Sequence, residues 1–218
     1  MDSIIRKSVF LHFWDRQIKS ELDMRYILAS KSPRRREILS NIGLVFDVVV
    51  AQTDESSCET DAIALSRELA LRKALAVREM LLAKGELSQD DIIIASDTVV
   101  ECGGEILGKP KDREDAERML GMLSGGAHRV LSGIALVRGD AQVIGHSETF
   151  VYVDEIERED MEAYLDTSEA YDKAGAYGIQ GYASRWISRI DGCYFGVVGM
   201  SVNTLDKLHR ELTGRSIK

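Results

Sequence analysis

The chain has 218 residues, enough for one well-buried core or two small lobes sharing a cleft. Its net charge of −8 at pH 7 excludes a general nucleic-acid coat, which needs a basic surface to release counterions. Hydrophobic residues make up 44% and charged residues 29%, and no stretch approaches the roughly 20 consecutive apolar residues that span a bilayer, so a soluble globular protein without a membrane anchor is expected.

Residues 1–24, "MDSIIRKSVFLHFWDRQIKSELDM", mix charges with an apolar patch that His12 interrupts. They carry no small-residue cleavage pattern, and Asp2, Asp15 and Glu21 argue against a mitochondrial leader, so they read as an N-terminal extension to a domain over 25–218. "RYILAS" is a strand, "SPRRREILSNIG" a helix with Ser32 as N-cap and Pro33 at its first position, and "VFDVVV" a second strand. The run from Thr60 to Gly85 sets Leu65, Leu69, Ala76, Met80 and Leu81 at helical spacing and predicts one long amphipathic helix. "DIIIASDTVV" is β-branched and continuously apolar, the pattern of a strand buried on both faces at the centre of a sheet. A hairpin across "ECGGEI" follows, then a helix over "DREDAERMLGMLSG" and strands around "HRVLSGIALVRG" and "AQVIGHSETFVYVDEI". A short helix, "REDMEAYLDT", a glycine-rich stretch from Asp172 to Met200 and a closing helix, "SVNTLDKLHREL", complete the chain. The alternation predicts an α/β protein with a mixed sheet and flanking helices.

Cys58, Cys102 and Cys193 have neither metal-ligand spacing nor a disulfide framework, which suits free thiols in a reducing, cytoplasmic compartment. Four dispersed histidines give no zinc motif and no Ser-His-Asp triad. "GGEILGKP" nearly matches a phosphate loop, but Pro110 supplies no hydroxyl for Mg²⁺ and the segment follows a Gly-Gly turn instead of a buried strand.

Polar residues in apolar surroundings carry the remaining signal. Asp97 follows a buried run, so its carboxylate either sits at the end of a central strand beside a cation or metal, or caps a turn with Thr98. Asp54 and Glu55, after the second strand, offer further carboxylates for a hard divalent cation. Lys73 alone reads as a surface lysine of the long helix, and "KAGAYGIQG" combines glycines that permit close backbone approach with the amide of Gln180. Arg34, Arg35 and Arg36 occupy the first turn of a helix, where the macrodipole disfavours a cation by about 0.3–1 kcal/mol unless an anion joins it.

Taken in order, "LASKSPRRREIL", "TDES", "REL…LRKALA", "ASDTVV", "GEILGKPKDREDAERMLGMLSGGAHRV" and "DKAGAYGIQGYAS" resemble the Maf proteins, nucleoside triphosphate pyrophosphatases, from about Tyr26 to the last helix. The resemblance implies a two-lobed α/β fold like that of inosine triphosphate pyrophosphatases, with a cleft between the lobes and frequent homodimers. It implies hydrolysis of a nucleoside triphosphate between the α and β phosphates, with Mg²⁺ or Mn²⁺ as cofactor and neither a nucleic-acid polymer nor a membrane as partner. Carried over by position, substrate contacts fall on Ser30, Arg34 and Arg35, the acidic metal ligand on Glu55, the helix lysine on Lys73, the catalytic aspartate and metal ligand on Asp97, and the hairpin lysine on Lys109. Thr98 and Gln180 match positions associated with substrate choice, and Arg-Arg after Ser-Pro together with "YGIQG" marks the dTTP/UTP subgroup. The alternatives are a pyrophosphatase acting on 7-methyl-GTP or inosine triphosphate, or a nucleotide-binding cell-division regulator with little catalysis. Lys31 and Arg36 depart from the family pattern, and no phosphate contact is assigned to Arg36.

Overall fold

A computed structural model describes residues 24–217; the extension expected over 1–24 lies, apart from Met24, outside the described residues. Strand β1 (Tyr26–Leu28) leads into helix α1 (Pro33–Asn41), strand β2 (Phe46–Val48) and the long helix α2 (Ala62–Lys84). Strand β3 (Ile92–Cys102) turns through Gly103 and Gly104 into β4 (Glu105–Leu107), and α3 (Arg113–Leu123) follows. Strands β5 (Ala127–Arg138) and β6 (Ala141–Val153) form a long hairpin, after which come α4 (Arg158–Leu165), β7 (Ile187–Asp191), α5 (Tyr194–Val198) and α6 (Val202–Thr213). The helix starts follow from local chemistry. Ser32 accepts from the Arg35 amide at 3.4 Å, Asp61 from Ala64 at 2.7 Å and Asp112 from Asp115 at 2.8 Å, each satisfying a donor that the first turn leaves free.

The strands make one mixed sheet in the order β2-β1-β3-β5-β6-β7, with β4 beside β3. β1 runs parallel to both β2 and β3, whereas β3, β5, β6 and β7 are successively antiparallel. One edge of β3 is paired with β5 along most of its length. On the other edge β1 covers only Ile92–Ile94 and β4 only Val100–Cys102, which leaves a notch from Ala95 to Val99.

The apolar packing divides at the same place. On one side of the notch, α2 lays Ala70, Ala74, Val77 and Leu81 on Ile93, Ala95, Ala135 and Val137, while Ile38 and Leu39 of α1 and Leu205 and Leu208 of α6 cover Ile92, Ile94, Ile134 and Leu136 on the opposite face. On the other side, α3 and α4 pack Met119, Leu120, Leu123 and Tyr164 against Val100, Val130 and Val151. Between these cores β3 carries Ser96, Asp97 and Thr98, opposite Ile134, Gly133 and Ser132 of β5. Among the described residues no helix is long and apolar enough to cross a membrane.

Several elements depart from the sequence expectations. Asp97 lies in the middle of β3, neither at its end nor in a turn, because the strand resumes apolar burial at Val99 and Val100. β1 and β2 stop short of "RYILAS" and "VFDVVV", and Ala29, Ser30 and Val50 turn into the cleft wall instead. The buried stripe of α2 contains Ser66, Ala70 and Ala74 and leaves Ala76 and Met80 only partly covered. Small residues there let the helix approach the sheet closely, and Gly133 does the same from below: a Cβ at that position would stand 2.1 Å from the Ser66 carbonyl oxygen. The glycine-rich stretch holds β7, α5 and two 3₁₀ turns that glycine content concealed.

Since neither α2 nor β5 can yield without breaking hydrogen bonds, Gly133→Ala is expected to destabilise the protein by about 2–3 kcal/mol in denaturant unfolding. A loss under about 0.5 kcal/mol would show that the helix has room to move.

Candidate active site

The notch opens into a cleft of about 1400 Å³ with walls from both packing groups. All nine residues singled out from sequence line it: Ser30, Arg34, Arg35, Glu55, Lys73, Asp97, Thr98, Lys109 and Gln180. Alternation along β3 sends Asp97 toward the α2 face and Thr98 toward the α1 face. Because the strand edge is open between them, both border the same space.

Lys73 is the centre of the arrangement. Its Nζ donates to Asp97 Oδ1 at 2.5 Å and pairs with Glu55 Oε1 at 2.8 Å. The side chain is 18% exposed, so the surface reading of this lysine does not hold. The Asp97 side chain is 12% exposed, and removing its partner would leave a nearly buried charge, a change that typically costs about 3–5 kcal/mol. Glu55, more than half exposed, has its carboxyl held below the ordinary range: the Lys73 hydrogen bond dominates, burial opposes it, and the charges of Lys73, Lys109 and Arg35 add to the lowering.

The arginines divide by role. Arg35 is committed to the protein on three sides: Nε donates to the Gly199 carbonyl at 3.0 Å, Nη1 to Ser30 Oγ at 3.3 Å and Nη2 to Thr98 Oγ1 at 3.1 Å. Burial lowers its pKa, Asp97 and Glu55 oppose that, and Arg34 reinforces it. Ser30 also accepts from the Ser32 amide at 3.1 Å, and Ser96 Oγ donates to the same Gly199 carbonyl at 2.8 Å. Arg35 therefore ties the end of β1, the middle of β3 and the α5–α6 turn together, with its remaining N–H donors left for a ligand. Among the described residues, Arg34 lines the cleft without an ion pair and Arg36 reaches only the Lys31 carbonyl, at 3.4 Å on the exposed side. Lys109 and Gln180 stand exposed on the rim, Lys109 close enough to influence Glu55.

The profile of Maf-like protein matches residues 25–212. The chain belongs to the Maf-like family. A dTTP/UTP pyrophosphatase of Symbiobacterium thermophilum is 47% identical over 178 residues, covering 81% of this chain and 88% of that protein. Another, from Caldanaerobacter subterraneus subsp. tengcongensis, is 44% identical over 191 residues, covering 86% and 89%. The solved structure of the Staphylococcus aureus Ham1 protein superposes with a TM-score of 0.43 at 16% identity, covering 59% of this chain and 71% of that one.

In this Maf-like chain, Glu55 and Asp97 supply two oxygen donors anchored on one ammonium; among the described residues no group of three or more His, Cys, Asp and Glu is placed to hold an ion. Two carboxylates fit a hard divalent cation that completes its shell with phosphate oxygens and water. Sequence reasoning missed two parts of the site: the Gly199 carbonyl that Arg35 and Ser96 share, and Gly133, whose missing Cβ lets α2 approach. Only Gly133 left a local trace, as a glycine inside a long apolar strand.

Arg34→Ala is expected to lower activity with little change in stability, Arg35→Ala to lower both, and Arg36→Ala to leave both near wild type, as measured by turnover and thermal unfolding. Equal activity losses for all three would mean the cluster acts as bulk charge. Because the folded-state pKa of Glu55 lies below its unfolded value, its contribution to stability is present above the unfolded value and disappears as the pH falls through the folded one. Glu55→Gln should flatten the loss of stability on acidification through the carboxylate range; unchanged pH dependence would remove the Lys73–Glu55 pair from that behaviour.

Proposed function

We propose that this protein is a nucleoside triphosphate pyrophosphatase that cleaves dTTP and UTP between the α and β phosphates, yielding the monophosphate and pyrophosphate. The observation that carries the reading is the convergence of Glu55, Lys73 and Asp97 on one point of a nucleotide-sized cleft whose rim presents Arg34 and Lys109. The dTTP/UTP preference is supported by relatives that bear that name at 38–47% identity.

Cleavage develops negative charge on the leaving pyrophosphate, so fixed cations supply the stabilisation. Arg34 and Lys109 meet the phosphate oxygens, joined by the free N–H groups of Arg35. Lys73 holds Asp97 Oδ1, leaving Oδ2 to accept the proton of the attacking water. Thr98 and Gln180 face the nucleoside. A divalent cation such as Mg²⁺ or Mn²⁺, held by Glu55 and Asp97, would neutralise phosphate charge and acidify that water. Free thiols at Cys58, Cys102 and Cys193 support a cytoplasmic setting, and a homodimer belongs to the same reading.

A panel of nucleoside triphosphates with pyrophosphate detection in Mg²⁺ or Mn²⁺ tests the function. dTTP and UTP should be cleaved with the highest kcat/KM, and chelation should abolish turnover. Preference for 7-methyl-GTP or inosine triphosphate would move the substrate to purines, and intact triphosphates throughout would favour a binding regulator. Asp97→Asn should lower kcat by at least about 100-fold while nucleotide binding remains measurable; near-normal turnover would remove Asp97 from the mechanism.

A further inference from the structure

Across the cleft from Lys73, the turn that carries Gln180 rests on a carboxylate that the chemistry above does not use. Glu169 Oε2 accepts from the Tyr182 amide at 3.0 Å and Oε1 from the Tyr164 hydroxyl at 3.4 Å. Burial, then the Glu169 charge, raise the Tyr164 hydroxyl, which keeps it protonated as the donor. The turn itself closes by a hydrogen bond from the Gly181 amide to the Gly178 carbonyl at 3.1 Å. It lies directly on the carboxylate: a Cβ at Gly181 would stand 2.1 Å from Glu169 Oε1, and one at Gly178 would stand 3.4 Å from the same oxygen. Tyr182, the next residue, stacks on the fully buried Tyr164 with ring centroids 5.8 Å apart. The turn is thus anchored at one end by an aromatic contact and along its underside by Glu169.

Charge indicates which part of a nucleotide meets this rim. Glu169 places a carboxylate on this rim, Asp172 lies within the field of Arg34, and the nearby Lys173 is already engaged, donating to Asp172 at 2.5 Å and to the Glu169 carbonyl at 2.8 Å. The cations without a paired carboxylate among the described residues, Arg34 and Lys109, draw the phosphates, so the uncharged base is left to the Gly178–Gly181 turn and its exposed amide. We propose that Glu169 is a positioning residue that holds this turn in shape for the base, setting nucleotide affinity through Gln180 without touching the phosphates. The inference rests on the triphosphate reading above.

The test compares dTTP kinetics with inhibition by inorganic tripolyphosphate, which reports the phosphate subsite alone. Glu169→Ala should raise the KM for dTTP about tenfold, with kcat within about threefold and the tripolyphosphate inhibition constant within about twofold of wild type. Glu169→Gln, which keeps an acceptor for the Tyr182 amide, should restore KM to within about threefold. An unchanged KM in Glu169→Ala would overturn the inference, as would a KM and an inhibition constant that rise together, the mark of general damage. Should Glu169→Ala fail to fold, Gly181→Ala decides by the same criteria, because its Cβ would push the Glu169 carboxylate away from the turn. Wild-type protein that leaves dTTP intact would defeat the functional reading and this inference with it, whereas wild-type turnover with unaltered KM in the variant defeats the inference alone.

Discussion

A carboxylate in the middle of a buried strand is the constraint around which this molecule is arranged. Asp97 is 9% exposed, and in such surroundings an unpaired charge would be too costly to keep. Its partner must come from outside the sheet, and Lys73 reaches it from α2. For the ammonium to arrive within hydrogen-bond distance, α2 has to lie close to the strands. Close approach in turn requires small surfaces on both sides: Ser66, Ala70 and Ala74 on the helix, Gly133 directly opposite Asp97 on β5. The pair and the tight helix–sheet packing are therefore one requirement expressed twice.

The notch in the sheet converts this pairing into a site. A strand presents successive side chains to opposite faces, so Asp97 and Thr98 would ordinarily belong to different surfaces. Where neither β1 nor β4 covers the edge of β3, the two faces meet, and residues from α2 and α1 serve one cleft. The arginines at the start of α1 fit the same geometry. Arg35 is turned back onto Ser30, Thr98 and Gly199, where Asp97 and Glu55 supply the negative charge that the helix dipole lacks. Arg34 is left facing the open cleft.

Local patterns made much of this legible in advance. β-branched runs marked β3, β5 and β6, and caps at Ser32 and Gly85 marked the ends of α1 and α2. The resemblance carried by six separated motifs pointed to nine residues that line one cleft. What stayed hidden depends on contacts distant in the chain. Arg35 meets Thr98 across 63 positions and Gly199 across 164, so its partly structural role leaves no local trace. Lys73 looked like any helix lysine because its burial comes from the sheet beneath it and the loop of Glu55 above it. Asp97 looked like the end of a strand because polarity ordinarily stops one. Here the strand passes from one core to another, and the polar waist is the join.

The same charge distribution reconciles an acidic protein with an anionic ligand. A chain of net charge −8 repels a triphosphate at long range, but beyond about 8 Å at physiological salt that repulsion is largely screened. Within that distance the cleft decides. Lys73 is balanced by two carboxylates and adds little net field, whereas Arg34 has no ion-pair partner among the described residues and Lys109 stands on the exposed rim. Attraction is thus concentrated on those two cations, while Glu169 and Asp172 line the same cleft, Asp172 within reach of the Arg34 charge. An evenly basic cleft would bind a triphosphate in either direction. One whose uncompensated cations are confined to Arg34 and Lys109 favours the orientation that brings the phosphates to them.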